Sequence, residues 1–446
     1  MNAQALTGTA PGAAAAAAPR GASLERGLHV FLEEIDAPMA SFFSSCVRCG
    51  LCAHACLFYT ETEDPRYTPI HKLEPLRRMW RQEYTFWGKL AKRVGLAKPV
   101  TDDELTAWSE LVYDSCTLCG RCSRVCPVGN DIVYMVRRMR EGMAAAGHAP
   151  AGLIRATRNA ILNGSPMGVK LATLEAQLRH VEKETGLKIP LDQGGAEYLA
   201  IFSSMEIVNY PEYIAALARI FEQAGVSWTI SSEAFEATNA GIQIGQSDLA
   251  AEILSRIVKA AEKLKVKSVI GPECGHAYLA LRWEGPNLLK RTYPFQVKHI
   301  LELLDELRAA GKLPIQDTEG SRLTFHDPCQ LVRQGGVVHE PRRLLQLVAS
   351  DIVEMNEAGL MNWCCGGGGG VSAIERAESL RLKAFRRKKA QLDELGVEML
   401  VTACANCRVV IEEGMDAYNM ELPMVSLTEL LAKHLVEAPR AGGTSA

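Results

Sequence analysis

Fourteen cysteines carry the chemistry legible in this chain, and thirteen of them fall into three sets. "CVRCGLCAHAC" holds Cys46, Cys49, Cys52 and Cys56, and "CTLCGRCSRVCP" holds Cys116, Cys119, Cys122 and Cys126. The third set is dispersed: Cys329 in "HDPCQLVR", the adjacent pair Cys364 and Cys365 in "NWCCGGGGG", and Cys404 and Cys407 in "TACANC". Neighbouring cysteines are too close in sequence to bond comfortably to each other, and no export signal suggests an oxidising compartment. Clustered thiols in a reducing compartment point instead to metal or redox chemistry.

The first two sets share the spacing C-x2-C-x2-C-x3-C, that of bacterial ferredoxins. Two-residue gaps let one loop present three thiolates to one metal core, with amide N–H groups aimed at the sulfurs. The fourth cysteine opens a helix and, in two-cluster ferredoxins, ligates the other cluster. Cys46, Cys49, Cys52 and Cys126 are therefore expected to hold one cubane [4Fe–4S] cluster, and Cys116, Cys119, Cys122 and Cys56 a second. Zinc prefers a four-ligand tetrahedral site built from C-x2-C pairs, which the repeated 2-2-3 spacing argues against. Leu57 replaces the proline that follows the fourth cysteine in the second motif, at a position that supplies no ligand.

Beyond these motifs, 446 residues suffice for two or three domains, and an apolar fraction of 48% is ordinary for a globular chain. A formal net charge of −3 gives no support for nucleic-acid binding. No eighteen-residue apolar run is present. The N-terminal "MNAQALTGTAPGAAAAAAPRGAS" lacks a basic leading region and reads as a disordered arm over 1–28. A mainly helical ferredoxin domain is expected over 29–150, a helical connector over 151–195, and a short disordered tail over 439–446. From about 196 onward, short β-rich runs such as "EYLAIFSS", "VKSVIGPE", "SRLTFHDP" and "VEMLVTAC" alternate with amphipathic helices, which argues for parallel α/β architecture.

That C-terminal part contains an internal repeat. Met205 aligns with Cys329, Asn239 and Ala240 with Cys364 and Cys365, Cys274 with Cys404, and Ala277 with Cys407. Thirty-three residues separate Met205 from Asn239, against thirty-four between Cys329 and Cys364. Two pseudo-symmetric copies are expected, a degenerate one at 196–318 without a cluster and an intact one at 319–438. In the degenerate copy Glu273, Cys274 and His276, on the loop facing the pseudo-symmetric site, read either as groups that donate protons or hold substrate sulfur, or as a leftover structural thiol beside satisfied polar groups.

On "HDPCQLVR", "NWCCGGGGG" and "TACANC", together with the ferredoxin pair, the chain resembles the CCG-domain iron–sulfur oxidoreductases over roughly residues 40–440. The resemblance is greatest to the B and D subunits of heterodisulfide reductase and to the K subunit of the sulfite-reductase-associated membrane complex. It implies that Cys329, Cys364, Cys365, Cys404 and Cys407 hold a further [4Fe–4S] cluster of noncubane type that reacts directly with a disulfide. Gly366, Gly367 and Gly368, within a run reaching Gly370, would let bare backbone approach it. An ordinary cube with one spare cysteine, or a flexible loop carrying unused thiols, are the alternatives. His326 and Asp327 stand either as donors of hydrogen bonds and protons or as caps of the turn after a strand.

The expected function is electron exchange between these clusters and a disulfide or dithiol, carried by a small thiol or a sulfur-carrier protein. The alternative is a non-catalytic electron-transfer subunit of a flavin-linked 2-hydroxyacid or glycerol-3-phosphate dehydrogenase. No flavin or NAD fingerprint is present, so the resemblance implies a partner: a quinone-linked membrane cytochrome b or a soluble flavoprotein. The expected location is the cytoplasm, peripheral on the inner membrane face through that partner. Two basic stretches remain. Residues 77–95 interleave Trp80, Tyr84, Phe86 and Trp87 with cations, and read as a docking surface, a headgroup-level anchor or a helix packed over the ferredoxin motifs. Residues 381–391 read as a solvated helix face or a guide for an acidic partner.

Overall fold

A computed structural model describes residues 23–436. The expected arm lies largely outside the described residues, as does the tail, but the helix Leu24–Glu33 begins inside the arm's proposed span. Ser23 caps it, accepting a hydrogen bond from the Arg26 N–H, and Phe31 anchors it against the helix Ile132–Ala146.

The region up to residue 195 is helical. Each ferredoxin motif passes through a short helix, Leu51–His54 or Arg121–Arg124, and Cys56 sits at the N-cap of Leu57–Thr62. The helix Ile132–Ala146 closes this part, and two helices follow in the expected connector, Ala151–Asn163 and Leu171–Thr185. Among the described residues, no helix is long and apolar enough to cross a membrane.

The remainder is parallel α/β. Strands β1 (Tyr198–Ala200), β2 (Trp228–Thr229), β3 (Ser268–Gly271) and β4 (Gln296–His299) form one parallel sheet ordered β2-β1-β3-β4. Strands β5 (Leu323–His326), β6 (Met399–Thr402) and β7 (Met424–Ser426) form a second parallel sheet. Ile352 bridges to Leu323 at the outer side of β5, where β2 stands in the first sheet. The order is therefore the same twice over. Strands β2, β4 and β7 give little sequence signal beside the four apolar runs. Between equivalent strands lie equivalent helices, including the eighteen-residue pair Ser247–Leu264 and Glu378–Leu395.

Each repeat closes with a helix that starts on a capping box, His299 with Glu302 and Ser426 with Glu429. Those closing helices are exchanged. Ile300–Ala309 packs on Glu340–Val348 of the second repeat, and Leu427–His434 packs on Glu212–Ala224 of the first. One continuous core therefore runs from Leu199 to Leu431 through both sheets, and neither repeat is complete alone.

Arg140 joins the helical region to this core. It is fully buried, and all five of its N–H donors are taken by backbone carbonyls. Nε and one Nη2 hydrogen reach Val112, Nη2 also reaches Cys116 at 2.8 Å, and Nη1 reaches Gln243 and Gly369 at 2.6 Å each. Arg140→Met would strand those carbonyls in a dry interior, each costing about 1–3 kcal/mol. The denaturation midpoint of the loaded protein should fall by the equivalent of at least about 3 kcal/mol, measured against Arg138→Met on the same helix as a half-exposed control.

Candidate metal centres

The two ferredoxin loops fold toward each other. Cys46, Cys49, Cys52 and Cys126 line one cavity of about 430 Å³, walled also by Arg77, His71 and Asn130. Asn130 N–H donates to Cys126 Sγ at 3.4 Å. Cys56, Cys116, Cys119 and Cys122 line a second, tighter cavity beside Lys72, Phe58 and Val136. The fourth cysteine of each motif is thus delivered to the other motif's loop. Cys56 stands at the N-cap of Leu57–Thr62, whereas Cys126 is followed by a turn before Asp131 caps the helix Ile132–Ala146.

The dispersed cysteines also converge. Cys329 and Cys364 lie Sγ to Sγ at 3.7 Å, Cys365 interacts with both Cys364 and Cys407, and Cys407 with Cys404. All five are buried among Leu57, Trp363, Phe385, Val410 and Ile411. Hydrogen bonds from neighbouring thiols favour the thiolate at Cys364 and Cys365, at the expense of Cys119, Cys329 and Cys407, whose ionisation is pushed up. Gly366 N–H donates to Cys364 Sγ at 3.4 Å, and Gly367 N–H faces Cys365.

The rest of the glycine run answers to a different constraint. A Cβ on Gly369 would stand 2.7 Å from the Thr117 carbonyl carbon, and its φ is +61°. Gly368 likewise meets the Thr117 carbonyl oxygen at 3.1 Å. The bare backbone there admits the second ferredoxin loop rather than an inorganic core.

That loop is held firmly against the third set. Past Cys329 the chain makes a π-helical turn, Gln330–Gln334, whose side chains clamp it. Gln330 and Gln334 donate to the Leu118 carbonyl at 2.8 and 2.5 Å, and Arg333 to the Cys119 carbonyl at 2.8 Å. Arg121 lies 3.4 Å over the Trp363 ring and pairs with Glu357. In consequence Cys119 packs against the cluster that holds the five cysteines, and the second ferredoxin cavity, which Cys119 also lines, abuts that set.

His326 sits at the end of β5 within 4.8 Å of the Cys365 and Cys407 donor atoms, fully buried, and neither ring nitrogen has a hydrogen-bond partner. Burial and then Lys388 hold its imidazole neutral. An unpartnered buried imidazole beside five thiols fits a site built for a metal core. Asp327 does something different from the proton donation considered for it. Its carboxylate accepts from both Arg342 Nη groups and from Gly359 N–H at 2.7 Å, while its carbonyl accepts from Asn362. It fixes the loop leading into Cys364.

A pattern of buried cations is invisible in the sequence. Arg77 walls the first cavity, Lys72 and Arg140 flank the second, and Lys388 stands by the third set. Lys388 corrects the reading of 381–391 as a solvated face. It is buried, donates to Gln391 Oε1 at 2.7 Å, and burial lowers it to about 8 against the opposing pull of Asp327, Cys365, Cys364 and Cys407. Arg381 and Arg387 of the same stretch pair with Glu413 and Glu61.

In the first repeat the aligned positions are spent on the fold. The Asn239 side chain accepts from Ile242 N–H and donates to the Ala250 carbonyl, and His276 meets the Asn239 carbonyl at 3.1 Å. Glu273 accepts from Ser426 and from both Thr428 N–H and Oγ1 of the other repeat. Cys274 is buried near Cys404 with its thiol ionisation pushed up by burial. A narrow crevice of about 10 Å³, lined by Glu206, Tyr210, Glu273 and Arg408, reaches Cys404.

Residues 43–130 match the 4Fe–4S dicluster domain, and residues 323–412 match the cysteine-rich CCG domain. The chain thus carries a dicluster domain in its helical region and a CCG domain in its second α/β repeat. It is 27% identical to an Hdr-like menaquinol oxidoreductase iron-sulfur subunit of Archaeoglobus profundus, across 89% of this chain and 80% of that one. It is 28% identical to the D subunit of the dihydromethanophenazine:CoB–CoM heterodisulfide reductase of Methanosarcina barkeri, across 91% and 95% respectively. An EtfAB:quinone oxidoreductase of Syntrophomonas wolfei is 27% identical across 84% of this chain and 56% of its own length. The CCG match begins at β5, so it covers the repeat that kept its cysteines.

Two outcomes test this arrangement. In the reduced, anaerobically purified protein, Cys46→Ser and Cys126→Ser should remove the same EPR signal, and Cys116→Ser and Cys56→Ser should share the other. Pairing within each motif instead would refute the crossed assignment. Separately, burial raises Glu273 to about 7 and Glu236 to about 8, far above the 4.5 of an exposed glutamate. The native state then holds protons the unfolded chain has released, so stability falls as pH rises from about 5 to 8. Glu273→Gln keeps the acceptor oxygen and should remove its share of that slope, recovering about 3 kcal/mol at pH 8, while the share of Glu236 remains.

Proposed function

We propose that the chain is a redox subunit in which electrons pass along three contiguous cysteine sites and are exchanged with a disulfide or dithiol at the CCG site. The observation that carries this is the packing of Cys119 against the cluster that holds the CCG cysteines, where Gln330, Arg333 and Gln334 clamp its loop. The crossed ferredoxin sets would hold two cubane [4Fe–4S] clusters, and Cys329, Cys364, Cys365, Cys404 and Cys407 a third, noncubane one. When bound, such clusters supply one-electron carriers.

The protein's own residues set the conditions. The apolar shell of Leu57, Trp363, Phe385 and Ile411 excludes water, and Lys388 offsets thiolate charge within it. Cleaving a disulfide takes two electrons and two protons and yields two thiols; oxidising a dithiol runs the same balance backwards. Neutral His326 is placed to hydrogen-bond sulfur at the site. The names of the relatives support a quinone-linked partner; the partner proposed is a membrane cytochrome b or a flavoprotein, and the location proposed is the inner membrane face through it. A small thiol disulfide or a sulfur-carrier protein is the substrate class proposed.

Burial of all five thiols favours a second reading, in which the CCG set passes electrons to a partner and touches no sulfur substrate. Under that reading the chain resembles the iron–sulfur subunits of flavin-linked dehydrogenases.

Loaded protein, reduced with a viologen and given a small disulfide, decides between them. The main reading expects disulfide cleavage and, on reoxidation with thiol, a new EPR signal. Cys364→Ser should lower cleavage at least a hundredfold while both ferredoxin signals persist. A fully loaded protein that cleaves nothing and shows no thiol-dependent signal, yet reduces a quinone analogue, would establish the conduit reading instead.

A further inference from the structure

The helix Glu74–Tyr84 leads from the first ferredoxin cavity to a part of the molecule that the redox function leaves unused. Its first turn walls that cavity through Glu74 and Arg77. At its far end the chain turns sharply at Thr85 into a second helix, Phe86–Arg93, in which no residue is buried. The corner is nevertheless rigidly built. Thr85 Oγ1 accepts from Gly88 N–H at 3.1 Å and donates to the Arg81 carbonyl at 2.7 Å, and a Cβ on Gly88 would stand 1.8 Å from that carbonyl oxygen. Gln82 ties back to the Lys98 carbonyl at 2.7 Å.

This rigid corner displays apolar side chains to solvent. Phe86 is 74% exposed, Trp87 75% and Leu96 80%, with Tyr84, Leu90 and Val94 also exposed. At about 100° per residue, Phe86, Trp87, Leu90 and Val94 occupy one arc of about 100° on the helix, and Lys89 and Arg93 border it. Between residues 81 and 98 stand five cations, Arg81, Lys89, Lys92, Arg93 and Lys98, against the single acid Glu83, which pairs with Lys92.

An aromatic face bordered by lysine and arginine on a helix none of whose residues is buried is the composition of an interfacial membrane element. A protein partner's apolar groove would match the ring face but leave most of the flanking cations unanswered, whereas anionic headgroups answer both. The structure assigns this hairpin to the surface of an anionic lipid bilayer, with Phe86, Trp87 and Leu90 inserted at headgroup depth. Tyr84 lies seven positions beyond Arg77, about 10 Å of helix rise. Docking would therefore hold the first ferredoxin cavity, where Cys49 is exposed, next to the bilayer. This inference concerns how the chain meets the membrane and stands whichever reading of the CCG site holds.

The test is sedimentation of the loaded protein with bare vesicles, either phosphatidylcholine alone or phosphatidylcholine with one-third phosphatidylglycerol. The expected result is binding to the anionic vesicles only, weakened by salt. Phe86→Ser with Trp87→Ser should reduce binding at least tenfold. Lys89→Glu with Arg93→Glu should reduce it by about fivefold or more per charge. Since neither pair is buried, iron content and EPR signals should match the parent protein and exclude misfolding. A parent protein that stays in the supernatant at low salt would overturn the assignment, as would a serine variant that sediments unchanged. Binding confined to vesicles carrying a membrane subunit would overturn it in favour of a protein partner.

Discussion

A guanidinium with no carboxylate is the constraint on which this architecture rests. Arg140 gives each of its five hydrogens to a backbone carbonyl, and those carbonyls belong to segments far apart in sequence: Val112 and Cys116, Gln243, and Gly369. One side chain thereby fixes the second ferredoxin loop against the glycine run of the intact repeat and against the helical turn of the degenerate one. Burial lowers its ionisation, and the nearby Cys116 opposes that most strongly. The carbonyl dipoles solvate the cation without neutralising it, so its charge remains available to thiolates next door.

The same logic recurs along the chain of sites. Each cysteine set has a buried cation beside it, Arg77, then Lys72 with Arg140, then Lys388. A core of thiolates in a dry shell concentrates negative charge where the dielectric cannot screen it. Cations buried at the same depth lower the cost of placing it there, and of adding an electron to it. The clamp of Gln330, Arg333 and Gln334 on Leu118 and Cys119 then makes the spacing between the second and third sites a rigid property of the fold.

The degenerate repeat completes the packing of the intact one. The closing helices are exchanged between repeats, and Glu273 is satisfied only by Ser426 and Thr428 across the pseudo-twofold. Ligands could be lost from 205, 239, 240 and 277 so long as their replacements filled the same space or capped the same turns, as Asn239 does.

Much of this is legible in the sequence because it is encoded locally. Ligand spacing within one loop reports how thiolates wrap a core, so the two ferredoxin motifs can be read from "CVRCGLC" and "CTLCGRC". The two copies of the α/β unit, with their parallel strands, can be read from a recurring pattern. Burial of charge cannot be read that way, since it depends on what packs against a residue from elsewhere. Lys388 lies in a basic run that looks solvated until Met355 and the CCG cysteines close over it, and Asp327 sits beside His326 yet turns to Arg342. The five glycines read as room for a metal core, whereas Gly368 and Gly369 make room for Thr117, more than two hundred residues away. Sequence thus determined which atoms can bind metal. Only the tertiary structure decided which sites adjoin and which charges are dry, because those are contacts between segments with no common local pattern.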